Sequence, residues 1–448
     1  MHSVSNGSVR LIIDCGLFQG RRAEFYEKNS NFSFNPDEID ACILSHAHID
    51  HSGNIPNLVK KGFRGKVMTT LATKDLCSAM LPDSGYIQEE DAKFVNKIHR
   101  RKHLPPVKPL YTSQDAENSL EFIFGYPYHE KVNINGSAAV TFYDAGHILG
   151  SAVPLIEIID SGKTCRIAYV VDLGRKNLPI LKDPETPPEI DYMFLESTYG
   201  GRLHASIEDA KDELARIVRR TAKRGGKVII PSFALERTQE VVYYLSQLLI
   251  EKRIPDLPIY VDSPLAVNVT DVFLNHPECY DAEMNEALRN GEDPLGTRRI
   301  KYITDVEESK KLNRDRRPMI IISASGMCEA GRILHHLKNN IENRRNTVLA
   351  VGYMAKNTLG RRIVEKHKKV RIFGEEHQLR AEVSVMDTFS AHADRNELLE
   401  YVLPMRGRIK KIFIVHGDED QSEKLLKLLL DNGLPAHLPH PEEEIELP

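Results

Sequence analysis

Residues 45–51 read Ser-His-Ala-His-Ile-Asp-His. Four side chains able to ligate a metal, His46, His48, Asp50 and His51, fall within six residues. Imidazole nitrogen suits zinc, and a carboxylate completes the donor set of a hydrolytic centre. Extended backbone at the start of the run sends His46 and His48 to one side. A turn just after it aims Asp50 and His51 at a neighbouring point. One ion rarely takes all its ligands from six consecutive residues, so the spacing favours two metals. A lone histidine such as His99, His204 or His367 is read as packing or surface. Three in six residues with an interleaved aspartate serve no packing purpose.

These side chains need strand ends to hold them. Short β-branched runs at 9–14, 41–45, 66–69, 139–143, 165–172 and 192–196 read as strands, many ending in a polar residue. In layered α/β folds chemistry gathers at such ends. Beyond Gly201 the pattern changes. The apolar spacing of Ile207, Ala210, Leu214, Ile217 and Val218 predicts a helix over 207–223, with Ser206 as N-cap and Gly225-Gly226 as the stop. Strands at 227–231, 258–262, 319–323 and 347–353, with a helix over 237–252, give a β/α alternation and hence a second, mostly parallel sheet. Short strands return at 381–388 and 411–416. Glu442-Glu443-Glu444 reads as a solvated tail.

Composition narrows the class. The chain has 448 residues, 41% apolar and 28% charged, which fits two or three folded domains and excludes a disordered chain. No apolar run approaches the ~18–20 residues of a membrane span, and the first residues do not form a signal peptide. The six cysteines lie far apart with no Cys-x-x-Cys pair, which implies a reducing, cytoplasmic setting and no cysteine-bound metal. Net charge is −4 overall, yet residues 202–372 carry 31 Lys and Arg against 23 Asp and Glu. That excess suits a phosphate-binding face or a solvated surface, and charge alone leaves both open.

The His-x-His-x-Asp-His run resembles the signature of the metallo-β-lactamase fold, an αββα sandwich of metal-dependent hydrolases. Asp14 after an early strand, His147 in Gly146-His147-Ile148-Leu149-Gly150 and Asp172 after Val170-Val171 follow in the family's order. The resemblance implies that His46, His48 and His147 hold one zinc and Asp50 and His51 another, with Asp172 between them and Asp14 supporting the ligand loop. Only thirteen residues precede Asp14, where the family has a further strand and a glycine turn. A start lacking them would leave a bare sheet edge, an association liability that would admit a homodimer.

The chain runs well past Asp172. Glu196 in Leu195-Glu196-Ser197-Thr198, His392 in Ser390-Ala391-His392-Ala393-Asp394 and His416 in Val415-His416-Gly417-Asp418 resemble the extra motifs of the β-CASP nucleases, and the resemblance covers essentially the whole chain. It implies an α/β architecture: a metallo-β-lactamase sandwich built from residues 1–201 and 373–448, with a β-CASP domain inserted at 202–372. It also implies a zinc-dependent ribonuclease, cutting internally or from a 5′ end. Glu196 and His392 then join Asp50 in catalysis, and His416 completes the second metal's shell. A histidine as the last motif favours single-stranded RNA over DNA. Within the insertion, Ser323, Ser325 and Gly326 follow a strand and precede a helix expected near Gly331, a turn suited to backbone phosphate. Ser232, Arg237, Ser263 and Arg361 are candidates of the same kind. No aromatic-rich platform for reading bases stands out. A DNA nuclease of the subfamily would share every ligand. A small-molecule hydrolase of the parent fold would need neither the insertion nor Glu196 and His392. A non-catalytic scaffold would have lost ligands.

Overall fold

The computed structural model describes residues 1–18, 20, 22–160, 162–204, 207–352 and 354–447. They form two compact units, Met1–Asn177 with Lys182–Leu203 and His392–Pro448, and Leu178–Leu181 with His204–Ala391.

The first unit holds two sheets. The five-stranded sheet runs in the order His2–Ser5, Arg10–Ile13, Ala41–Ile43, Lys66–Thr70, Ile123–Tyr126, antiparallel at its first pair and parallel after it. The seven-stranded sheet runs Ala436–His437, Lys411–Val415, Tyr192–Glu196, Lys163–Val170, Ala152–Asp160, Ala138–Asp144, Val132–Asn135. Leu11, Ile13, Ile43 and Met68 of one sheet pack on Val140, Phe142, Ile156, Tyr169 and Phe413 of the other. Burying both inner faces of alternating strands in this way makes the central layer pair. The outer face of the larger sheet packs on Leu398 and Val402 of the Arg395–Val402 helix and on Leu425 and Leu429 of the Glu419–Asp431 helix. The Leu71–Lys102 helix covers the smaller sheet at Lys66–Thr70 and Ile123–Tyr126. Helix, sheet, sheet, helix is the expected sandwich. The Arg10–Ile13 strand is not the edge: His2–Ser5 pairs with it through a tight turn in which Gly7 has φ +77°, and His2–Ser5 is itself the end strand of the sheet. The 32-residue helix after Thr70 is unforeseen, since Pro82 and Gly85 within it read as breaks.

The second unit carries a six-stranded sheet in which every pairing is parallel, in the order Lys301–Tyr302, Ile259–Val261, Ile320–Ser323, Val228–Pro231, Thr347–Val351, Glu382–Met386. The expected boundary at 372 falls inside this unit. Glu382–Met386 pairs along its full length with Thr347–Val351, and the Lys369–Ile372 and Glu375–Gln378 strands form a hairpin beside it, so the unit continues to Ala391. The helix over Ile207–Lys223 has the expected bounds; its proposed cap Ser206, and Tyr353 at the end of an expected strand, lie outside the described residues. All six cysteines are free, and no helix among the described residues is long and apolar enough to cross a membrane.

Candidate metal centre

The cluster grows from the ends of the two sheets. After Ala41–Ile43 the chain stays extended through His48 (φ −56°, ψ 145°) and then turns into the Ile49–Ser52 helix. His46 and His48 therefore face one point, while Asp50 and His51 are swung round by the helical turn. The remaining members sit at loop starts: Asp172 beyond Lys163–Val170, His416 beyond Lys411–Val415, His147 between Ala138–Asp144 and Ala152–Asp160. Asp14, Asp172 and His416 have φ of +56°, +60° and +49°, a left-handed backbone that non-glycine residues adopt at a cost.

Two donor groups hold the expected ligands, and a third, Asp172, Glu196 and His416, overlaps them. Ligating atoms of His46, His48, His147 and Asp172 lie within 4.8 Å of one another, as do those of Asp50, His51 and His416. His46 Nε2 is 3.1 Å and His147 Nε2 3.4 Å from His48 Nδ1, and His51 Nε2 is 3.2 Å from His416 Nε2. Asp172 spans both groups: Oδ2 is 3.3 Å from His46 Nε2, 3.5 Å from His147 Nε2 and 3.5 Å from His51 Nε2, and Oδ1 is 3.1 Å from His416 Nδ1 without hydrogen-bond alignment. Three imidazole nitrogens and a carboxylate aimed at one point cannot all be satisfied by one another's protons. They suit a divalent metal cation.

Electrostatics points the same way for the first group. Burial, reinforced by neighbouring histidines, pushes His46 and His147 below the usual imidazole range and His48 down to about 3. All three keep free lone pairs at neutral pH. Burial opposes charge at His51 and His416 too, but Asp172, with Asp14 for the first and Asp50 for the second, outweighs it; His416 rises to about 10. Asp172 stays well below the carboxylate range because His416 and His51 overcome its desolvation.

The outer shell fixes these rings. Asp14 accepts from Ser45 N at 2.8 Å and from the Ser45 hydroxyl at 2.9 Å, and lies 2.7 Å from His51 Nδ1, which leaves His51 Nε2 toward the cluster. Glu196 is fully buried, accepts from Leu173 N, and holds His392 Nδ1 at 3.2 Å. The His392 ring lies 4.5 Å from that of His147, tilted by 47°, with a fifth of its side chain exposed. Its burial is outweighed by Glu196 and Asp172, so its pKa rises.

Residues 4–141 match the metallo-beta-lactamase superfamily, 238–363 the Beta-Casp domain and 376–439 the Zn-dependent metallo-hydrolase RNA specificity domain. The chain is 35% identical over 432 residues to ribonuclease TTHA0252 of Thermus thermophilus, covering 96% of this chain and 93% of that protein. It belongs to the β-CASP branch of the metallo-β-lactamase superfamily. Transcription termination factor FttA of Methanosarcina mazei is 31% identical over 431 residues, 93% of this chain but 64% of that factor. This β-CASP chain is thus an enzyme, a metal-dependent hydrolase.

The β-CASP unit holds the phosphate candidates. Ser232, Ser263 and Ser323 stand at the carboxyl ends of three neighbouring parallel strands, where ligands of such sheets gather. Their hydroxyls are engaged internally: Ser323 donates to Asp262 O at 2.8 Å, Ser232 to Phe233 O at 3.3 Å, and Ser263 caps the Pro264–Asn275 helix. Ser325 and Gly326 do not open a helix. The next one starts at Ile333, and Ser325 Oγ instead accepts from Glu329 N at 3.2 Å, closing a loop. Arg237 pairs with Glu240 at 2.5 Å and Arg361 with Glu365 at 2.7 Å.

Several supporting residues escape a motif search. A Cβ at Gly16 would sit 1.5 Å from Asp50 O, and one at Gly174 1.9 Å from Gly146 O. Thr70 and Thr73 hydroxyls donate to Gly150 O at 2.6 and 2.8 Å, and Ser151 Oγ accepts from His147 N at 3.1 Å. These contacts clamp the His147 loop. Gly16, Gly174 and Ser151 lie close in sequence to Asp14, Asp172 and His147, whereas Thr70 and Thr73 carry no such signal.

Proposed function

We propose that this β-CASP enzyme is a ribonuclease that hydrolyses phosphodiester bonds of single-stranded RNA at a pair of zinc ions. One observation carries the reading: two donor groups, one of three histidines and one of Asp50, His51 and His416, meet on a single carboxylate, Asp172. Bound there, two zinc ions would acidify a water and polarise a phosphoryl oxygen. Asp50, with 45% of its side chain exposed, is the member able to meet that water and take its proton. As the water oxygen bonds to phosphorus and the P–O bond to the departing nucleotide breaks, the leaving oxygen needs a proton. His392, its Nδ1 fixed by Glu196, offers Nε2 for that transfer. The RNA chemistry of the β-CASP relatives and the RNA specificity match at 376–439 support RNA as substrate. Within the inserted unit, the Ser325–Gly326 loop and Arg361 are the phosphate contacts of this reading, with Ser232, Arg237, Ser263 and Ser323 shaping them. Six free cysteines are in keeping with a cytoplasmic setting.

The test is incubation of the zinc-loaded chain with RNA labelled at either end and bearing a 5′-phosphate or a 5′-hydroxyl, beside DNA of the same sequence. RNA cleavage with about two zinc ions per chain by elemental analysis supports the reading. DNA cleavage alone, or a metal-free native protein, overturns it. Stepwise shortening from a 5′-phosphate would assign the exonucleolytic mode. The likeness to FttA across 93% of this chain favours a second reading, cleavage of nascent RNA to end transcription. Release of a transcript from a stalled polymerase by the chain, but not by its His392→Ala variant, would support it.

A further inference from the structure

We propose that the carboxyl end of the Leu71–Lys102 helix and the turn beyond it form a second RNA contact, a platform for the backbone of single-stranded RNA outside the metal centre. The inference rests on the ribonuclease reading. Residues 93–108 contain six Lys and Arg and no Asp or Glu, while residues 71–92 of the same helix contain one Lys against five acids. Lys97, Arg100, Arg101, Lys102 and Lys108 are exposed and form no salt bridge among the described residues; Lys93 alone pairs, with Glu90. Ile87, Phe94 and Ile98, spaced seven and four apart, share one helix face. They are 47%, 61% and 38% exposed, so an aromatic ring and two aliphatic side chains lie bare beside the cations.

The group is held in place. Asn96 Nδ2 donates to Val107 O at 2.9 Å and its Oδ1 accepts from Val107 N at 2.8 Å. His99 Nδ1 lies 2.6 Å from Pro105 O, and His103 takes the left-handed conformation (φ +55°) that turns the chain back. The turn is thereby folded onto the helix as a fixed knob. A helix dipole attracts cations to the last turn. It does not account for Lys108 beyond the helix or for the bared Phe94. An array of unpaired cations around an exposed aromatic is complementary to a polyanion with stackable bases, which is single-stranded nucleic acid. The other end of this helix is tied to the metal centre, since Thr70 and Thr73 hold Gly150 in the His147 loop. Thirty-two residues span ~48 Å, which a strand stacked at ~3.4 Å per nucleotide crosses in on the order of fourteen nucleotides and an extended strand in fewer.

The experiment uses the zinc-loaded full chain carrying His392→Ala, which spares the RNA, and fluorescence anisotropy of labelled RNA across a salt series. Combining Lys97→Ala, Arg100→Ala, Arg101→Ala and Lys102→Ala, all exposed sites where alanine favours helix, should make the salt slope shallower by about 0.7 per lost contact on an RNA of about thirty nucleotides. Phe94→Ser alone should weaken binding roughly tenfold with the slope unchanged. Both losses should be smaller for an RNA of about six nucleotides, too short to engage the platform and the metal centre together. An unchanged slope and affinity on the long RNA overturns the inference. So does loss, in the quadruple variant, of co-sedimentation with phosphatidylserine vesicles while RNA binding stays intact; that result would assign the patch to a membrane. If the chain with His392 intact cleaves RNA and the slope is unaltered, this inference alone falls. If that chain neither cleaves nor binds RNA, the ribonuclease reading falls with it.

Discussion

Each unit buries an aspartate against histidine, and the two surroundings differ. In the second unit Asp262 is closed off by its own chain: Oδ1 meets Arg332 Nη1 at 2.6 Å, and Oδ2 meets His336 Nε2 at 2.6 Å and the Ser309 hydroxyl at 2.5 Å. Three donors close on its two oxygens, and the network ties the Ile259–Val261 strand to two helices. In the first unit Asp172 is ringed by imidazoles whose nitrogens face one another, and its buried Oδ1 has no hydrogen-bond partner among the described residues. The same residue types make a structural pin where the hydrogen bonds close and a cation site where they do not. Residue identity does not separate these cases; the count of unsatisfied lone pairs does.

The contrast can be broken most sharply at its centre. Asp172→Ala should lower RNA cleavage by about a thousandfold or more, through loss of metal binding, with zinc content read by elemental analysis; full activity would end the shared-carboxylate reading. His392→Ala should cost 10²–10⁴-fold, roughly the worth of a general acid, with zinc content unchanged. Asp262→Ala should do the converse. Depriving Arg332 and His336 of their buried carboxylate should destabilise the second unit by about 3–5 kcal/mol in urea titrations, and zinc content should stay at the parent value. Asp14→Asn should act between the two, reducing zinc affinity roughly 10–100-fold by loosening His51, measured by competition with a chelator.

Acid gives the gentlest separation. Burial opposes ionisation of Asp262, but hydrogen bonds from His336, Ser309 and Arg332 prevail and its pKa is lowered from 3.8. A carboxyl depressed on folding contributes stability above its unfolded value and loses it as pH falls through the folded one. Unfolding of the zinc-free chain should therefore become easier below about pH 4, and Asp262→Asn should flatten that dependence. An equal pH response in parent and variant would show that the network adds nothing.

Much of the candidate metal centre was legible because its densest part is contiguous. His46, His48, Asp50 and His51 declare themselves by spacing, and the strand-end positions of Asp172, Glu196 and His416 follow from short apolar runs that the structure retains almost to the residue. What stayed hidden is non-local. The partner of Glu382–Met386 is fixed by sheet pairing, so the boundary near 372 could not be placed from local pattern. The direction of the Ser323 hydroxyl depends on Asp262, sixty-one residues away. The Leu71–Lys102 helix conceals itself with a proline, a glycine and a mixed polar face, and only packing against the smaller sheet decides it.

Gly16 and Gly174 have a further consequence. Each lets one loop backbone touch another at a distance no side chain permits, and each contact sets where a ligand-bearing turn can lie. In a random mutant library screened for survival, both positions should tolerate as little change as the histidines, although neither carries a functional atom. Drift in this lineage is then limited by absent methyl groups as firmly as by present imidazoles.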